Sequence, residues 1–170
     1  TAGFTTIPFV DFTGAITLVI FIFIFIGGSP GSTAGGIKNT TIAVLFLSVW
    51  SFIKGRPYIE AFGRRIRLAT LHRSVDIFVI GMAAIILTTF IILITDSQNG
   101  LLVNAFEMAS AFGTTGISLG GVTAELSIIG KCIVMVMMFL GRVGPLTLGL
   151  ALASNQKVSP MKYPEGRILI

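Results

Sequence analysis

Charge is what this sequence has least of. Only 11% of its 170 residues are Asp, Glu, Lys or Arg while 54% are hydrophobic, against about 25% charged in ordinary soluble domains. A water-soluble chain of this size leaves about a third of its unfolded surface wet, and there is too little polar material here to cover it. The solvent is therefore read as a lipid bilayer. The single cysteine, Cys132, excludes an internal disulfide framework, and its place in an apolar run points to packing. The single histidine, His72, lies among basic residues with no Cys, Asp or Glu at ligand spacing, so it reads as no metal site. No Ser/His/Asp set and no paired carboxylates emerge, which argues against an enzyme and against a cofactor held by this chain. A secretory signal is lacking too. The sequence starts without Met, inside a motif, and is expected to be the C-terminal part of something longer.

The few charges that are present are sorted. Lys54, Arg56, Arg64, Arg65, Arg67 and Arg73 crowd one connector, Lys157, Lys162 and Arg167 the C-terminal tail, and Asp96, Glu107 and Glu125 a third, acidic region. Aromatic residues do not interleave with the basic ones, so a nucleic-acid partner is not indicated. Short Lys/Arg-rich loops between apolar spans mark the cytoplasmic side, which puts 54–73 and 153–170 inside and 96–127 largely outside.

The apolar run at 12–26 covers about 22 Å as a helix, short of the roughly 30 Å hydrocarbon core. "TIAVLFLSVWSFI" at 41–53 makes up the difference beyond a glycine-rich stretch, so one discontinuous helix broken at 27–37 fits better than two spans. A second span reads from Val75 to about Thr95, and a third from about Ile128 to Ala153 with Arg142 near its middle. Between them, 99–112 is compatible with helix but too short to cross. Small polar turn residues follow it, the pattern of a re-entrant pore helix and loop, which membrane depth tolerates only beside a cavity or inside protein. The fold class is thus all-α and polytopic, with a re-entrant loop and one broken transmembrane helix.

There is an internal repeat. "TAGFTT" at 1–6 aligns with "TTGISL" at 114–119, Gly3 on Gly116, and Gly27 and Gly141 follow these by 24 and 25 residues. Repeats around a shared pathway are a feature of transport proteins. Thr1, Ala2, Gly3 and Phe4, and again Thr114, Thr115, Gly116 and Ile117, each form a stretch in which a central glycine permits several carbonyls to turn one way. Such oxygens can replace the hydration shell of a potassium ion. In the second stretch a short helix precedes and aims its partly negative C-terminal end at the same place. These eight residues are the candidate selectivity filter, with no fixed side-chain ligands.

"GGSPGSTAGGIKNTT" at 27–41 admits two readings. A phosphate loop needs G-x-x-x-x-G-K-[ST]. Gly31 and Gly36 have that spacing, but Ile37 stands where the lysine belongs and Lys38 comes one place late, a slip of about 100° on a helix. A P-loop NTPase is the weakest reading. For a broken membrane helix the fit is better, because five glycines and Pro30 within 27–36 cost about 1 kcal/mol per Gly and about 3 per Pro in a helix. The hydroxyls of Ser29, Ser32 and Thr33 can serve the freed backbone groups. Gly27, Gly28, Ser29, Gly31, Ser32, Thr33, Gly35 and Gly36 are candidate gating residues, the alternative being a packed kink with no gating role. An arginine inside a span costs roughly 3 kcal/mol on insertion scales and reads as functional by default. Arg142 aligns near Gly28 and is a candidate to face the loop, with a purely structural arginine as the alternative. Lys38, at the exit of the break, either joins the gate or extends to the interface.

"TAGFTT", "GGSPGSTAGGIKNTT", "SAFGTTGISLGG", "GKCIVMVMMFLGRVGPLT" and "YPEGRILI" together resemble the membrane subunit of bacterial Ktr/Trk-type potassium uptake systems, relatives of the plant HKT transporters, and most of all its Ktr branch. The resemblance implies a pore of four membrane–pore–membrane repeats with K+ as the transported ion and Na+ as a candidate activator. The third repeat's second helix would be broken by an intramembrane loop, matching 27–37, and faced by an arginine of the fourth, matching Arg142. Residues 1–53 would then end the third repeat, 54–73 connect, 74–153 form the fourth, and 154–170 be a cytoplasmic tail. It further implies a multi-pass protein of the bacterial inner membrane with a cytoplasmic C-terminus. Such subunits form homodimers on a cytosolic ring of regulatory subunits, to which any nucleotide belongs. Two filter stretches cannot surround an ion, so the first two repeats would have to be supplied. The rivals are a sodium-coupled symporter of the same architecture and a non-conducting assembly fragment.

Overall fold

The computed structural model describes residues 2–4, 6, 12–96 and 98–144. Thr1, the expected third span beyond Gly144, and the tail 154–170 lie outside the described residues. Six helices and one small hairpin follow in order: α1 Gly14–Phe25, α2 Asn39–Ile53, β1 Glu60–Ala61, β2 Arg64–Arg65, α3 Leu68–Thr95, α4 Leu101–Phe112, α5 Val122–Glu125 and α6 Ile128–Val143. The hairpin is the departure from an all-α expectation. Its strands pair antiparallel, Glu60 with Arg65, around Phe62 and Gly63, both at positive φ (50° and 73°), which matches the twist of a two-residue turn. The expected connector 54–73 is also shorter as a loop than its charges suggested. Helix α3 already starts at Leu68, so His72 and Arg73 ride on its first turns.

Length sorts the helices by what they can span. At about 1.5 Å per residue, the 28 residues of α3 reach roughly 42 Å, enough for a hydrocarbon core of about 30 Å. Among the described residues α3 is the one helix that is long and apolar enough to cross alone. The 12 residues of α1 and 15 of α2 are each too short. They stand in series on either side of a non-helical segment, as the broken-helix reading expects. Exposed Phe23 on α1, Phe90 on α3 and Phe139 on α6 show faces suited to an apolar solvent.

The short helix α4 is the centre of the packing, touching α1, α3 and α6. Asn104 and every residue from Phe106 to Phe112 are buried. Phe25 of α1 stacks on Phe112 at 6.3 Å and meets Phe78 of α3 edge-on at 5.7 Å. These aromatic contacts hold the end of α1, just before the break, against the end of α4. Cys132, read as a packing residue, is exposed on α6, on a helix with an outward apolar face.

At the other end, Asp96 ties α3 to α6. Its carboxylate accepts from the Ser127 N–H and hydroxyl, both at 2.9 Å, and from Thr95 at 3.1 Å. Ser127 in turn caps α6 by accepting from the Gly130 N–H at 3.1 Å. A negative charge here also favours the partly positive helix start. The bond from the Ser127 backbone holds the Asp96 carboxyl below the usual carboxylate range. A lowered folded-state pKa means that the unfolded chain binds the proton first, so this contribution is complete above the ordinary carboxylate range and fades as pH falls through it and then through the lowered value. Asp96→Ala is therefore expected to lower the melting temperature in detergent at pH 7, with the gap to the unsubstituted protein closing on acidification. A gap that does not change with pH would place the effect in packing rather than charge.

Candidate functional site

The segment from Ile26 to Lys38 leaves the helix and returns to nearly the same place. Ile26 and Ile37 pair as a single parallel bridge, the Ile37 N–H donates to Phe25 O at 3.3 Å, and the Asn39 N–H donates to Gly28 O at 3.2 Å. The two arms touch at Gly27, where a Cβ would lie 2.1 Å from Gly35 O, so only glycine closes the base of the loop. Gly35, Gly36 and Ile37 are buried while Ser29 to Thr33 form an exposed tip. The apolar run before the loop is helix α1, not the strand that a phosphate loop follows.

Two cations grip the tip from opposite sides in sequence. The Lys38 ammonium donates to Ala34 O at 2.6 Å and to Ser32 O at 3.4 Å. The Arg142 guanidinium donates to Thr33 O. Three consecutive carbonyls thus accept from side-chain cations, and among the described residues neither cation has a carboxylate partner. Lys38 therefore turns back to the loop rather than out to the interface. Arg142 is not mid-helix as expected. It sits in the last turn of α6, which ends at Val143 with Gly144 at φ 88°, where a cation complements the partly negative helix end.

The two TxG-type stretches meet. Gly3 and Gly116 both lie at positive φ, 72° and 79°, a conformation that side chains resist. A Cβ at Gly3 would stand 2.1 Å from Thr115 O, so the stretches are in direct backbone contact there. Helix α4 delivers the second stretch: Thr114 N–H donates to Ala111 O at 3.1 Å and Thr115 N–H to Ser110 O at 3.0 Å. The Thr115 hydroxyl oxygen is buried with no hydrogen-bond partner. Ala2 and Phe4 are exposed, Ile117 is half-buried, and Thr1 lies outside the described residues.

Thr114 joins loop and stretch. It is held at φ 52°, a region that costs an ordinary residue about 1–2 kcal/mol, and its hydroxyl accepts from the Gly35 N–H at 3.0 Å. The Gly36 N–H reaches Gly141 O at 3.3 Å. At Gly141 itself a Cβ would fall 1.8 Å from Phe112 O, so α6 and the end of α4 approach backbone to backbone. Ala2 and Thr114 on one side, and Gly28, Ser32, Thr33 and Arg142 on the other, line one cavity of about 440 Å³. The structure brings the predicted loop, the predicted arginine and the second predicted filter stretch to a single space.

Sequence reading missed Glu107. It was grouped with Asp96 and Glu125 as an acidic outer region, but Glu107 lies on α4 and is 5% exposed. Its carboxylate accepts from the hydroxyls of Ser118 and of Thr123 (2.6 Å) and from the Leu119 N–H at 3.0 Å. The available signal was its place inside "NAFEMASAF", an apolar helix where a carboxylate has to find donors.

Nucleophiles, bases and metal-ligating clusters are not gathered at this cavity, and among the described residues no group of three His, Cys, Asp or Glu could hold a metal ion. What the site offers is backbone oxygen, hydroxyls and a loop tip held by two cations. A family model described as TrkH, cation transport protein, matches residues 1–159. The potassium/sodium uptake protein NtpJ of Enterococcus hirae is 34% identical over 175 residues, covering 100% of this chain and 39% of that protein. The Ktr system potassium uptake protein D of Bacillus subtilis is 36% identical, covering 99% and 37%. The Ktr system potassium uptake protein B of Vibrio alginolyticus is 37% identical, covering 99% and 36%. The chain thus spans less than two fifths of the length of these relatives.

The Thr114–Gly35 bond has a direct test. Thr114→Val keeps the shape and removes the acceptor, and is expected to cost about 1 kcal/mol and to speed amide hydrogen exchange at 33–37. Thr114→Ser should restore protection. Equal exchange in all three proteins would mean that the bond does not hold the loop.

Proposed function

The chain belongs to the TrkH family of cation transport proteins, and on that footing we propose that it forms part of a potassium pathway in which backbone oxygens of two filter stretches select the ion and the loop 27–37 gates it. The observation that carries this is the shared cavity: the second filter stretch, the loop tip and Arg142 border the same 440 Å³. An ion leaving the stretch at Thr114 enters a space obstructed by Ser32 and Thr33, with the Arg142 charge beside it.

The physics of passage needs no covalent step. Carbonyl oxygens compensate the hydration a cation gives up, and Gly3 and Gly116 supply the turns that side chains would resist. The loop obstructs the exit while Lys38 and Arg142 hold its carbonyls, and the two positive charges add a barrier to cations in that state. Opening requires these bonds to exchange for water. The uptake named for the relatives supports potassium as cargo, and the potassium/sodium name of one of them favours a second reading, sodium-coupled or sodium-activated transport through the same architecture.

The chain works in a membrane. We place it in the bacterial inner membrane as a multi-pass protein with its C-terminus in the cytoplasm, as part of a four-repeat subunit that dimerises on a cytosolic nucleotide-binding ring. Nucleotide regulation then acts through that partner.

The test is potassium flux into proteoliposomes from this 170-residue chain and from a version extended upstream to its natural start. Flux only from the extended protein, abolished in Gly116→Asp, is the expected result. Stoichiometric sodium movement would favour the symporter, and pull-down of other membrane subunits without flux an assembly fragment. Nucleotide bound by the chain alone would revive the P-loop alternative. In the extended protein, trimming 31–36 or Arg142→Ala is expected to raise flux, the latter by up to about tenfold if one charged hydrogen bond is lost. Unchanged flux in a folded variant would reduce the loop and the arginine to packing roles.

A further inference from the structure

We propose that Glu107 is the residue that sets the geometry of the filter stretch from behind, so that ion discrimination, more than ion passage, depends on its carboxylate. The inference rests on the transport reading above and adds a positioning residue to it.

The segment from Gly113 to Gly121 follows the pore helix without helix or strand of its own. Gly116, Gly120 and Gly121 all lie at positive φ, so the backbone there has little intrinsic preference for one path. A stretch this loose cannot hold oxygens at spacings that distinguish cations of different radius unless something outside it fixes the path.

The fixing contacts converge on one side chain. Glu107 accepts from Ser118 and Leu119, the residues immediately after Ile117, through Oε1, and from Thr123 in α5 through Oε2. Ser118 passes the constraint on, its hydroxyl accepting from the Gly121 N–H at 3.0 Å. One carboxylate thus pins both ends of the return path to the pore helix. No Lys or Arg among the described residues pairs with it. All three of its partners are neutral donors from the segment it holds, which is the arrangement of a clamp rather than of an ion pair. A cavity of about 190 Å³ bounded by Glu107, Gly116, Ile117 and Ser118 lies between carboxylate and filter stretch. Without the carboxylate, the stretch has room to move back into that space.

The carboxyl geometry predicts which substitutions are tolerated. Glu107→Gln keeps an acceptor for Ser118 and Leu119, and its amide can donate to Thr123 once that hydroxyl turns, so most of the clamp survives. Glu107→Ala loses every bond and leaves three half-buried donors unpaired.

Two readouts test this in the upstream-extended protein. Hydrogen exchange at 116–121 reports the clamp whether or not ions flow, and the ratio of K+ to Na+ flux reports discrimination. Glu107→Ala is expected to raise exchange at 116–121 and to lower the flux ratio by about tenfold, equivalent to about 1.4 kcal/mol, with Glu107→Gln restoring most of both. If the alanine variant does not assemble, Ser118→Ala and Thr123→Val each remove one donor and are expected to move both readouts part of the way. Unchanged exchange in these variants overturns the clamp. Raised exchange with an unchanged flux ratio overturns the role in discrimination. An unsubstituted protein that carries no K+ overturns the transport reading instead, and the exchange result still decides the clamp.

Discussion

The break between α1 and α2 sets the terms for the rest of this structure. A chain that leaves the helix at membrane depth frees backbone N–H and C=O groups that water is not there to serve. Each freed group left unpaired costs on the order of 1–3 kcal/mol, so a loop of this length is viable only if other elements supply partners. They do, from four directions. Gly35 and Gly36 donate to Thr114 and to Gly141 O, Arg142 and Lys38 donate to carbonyls 32–34, and the arms serve each other at Ile37–Phe25 and Asn39–Gly28. Within the exposed tip, the local Ser29–Ser32 bonds add to the grip of the two cations.

Supplying those partners forces the elements close together, and that in turn forces small residues. At Gly141 and at Gly27, any Cβ would run into backbone oxygen. At Gly113 it would lie 2.8 Å from Ile24 O. Close backbone approach through small residues is the usual packing device where lipid removes the hydrophobic drive between helices. The glycines of the loop, of the pore-helix end and of α6 therefore have one joint cause. They let three elements meet at the C-terminal end of α4, where the candidate filter stretch begins.

Much of this was legible in the sequence because it depends on local chemistry. Apolar runs located α1, α2 and α3, and the Gly/Pro density located the break to within a residue or two. The repeat paired Gly3 with Gly116; both lie at positive φ, and the two stretches are in backbone contact. Helix α6 stops at Val143, with Gly144 at φ 88° and Pro145 next in sequence, a helix-stop signal; the rest of the span expected to Ala153 lies outside the described residues. Glu107 was misread. Neighbouring charges in sequence were taken as neighbours in space, whereas the donors to Glu107 sit 11 to 16 residues downstream and reach it only after the chain has doubled back. The Thr114–Gly35 bond, across 79 residues, has no local signature at all.

That last bond changes how the proposed gate is to be understood. On the reading proposed above, loop and filter stretch are not two devices in series, since Thr114 touches both: its backbone sits at φ 52° in the candidate stretch and its hydroxyl holds the loop. Clearing the path means giving up that bond, the Gly36–Gly141 bond and the grip of two cations. At a net value of about 1 kcal/mol for each neutral bond and roughly 1.5–3 for each charged one, these bonds favour the held loop by several kcal/mol. If the loop is the gate proposed above, a two-state element with a gap of that size is almost wholly closed alone, yet within reach of one binding event that favours the open form by about 5.5 kcal/mol. A loop held only by packing would lack discrete bonds to exchange, and one held by buried ion pairs would cost more to break. Carbonyls gripped by Lys38 and Arg142 fall between the two.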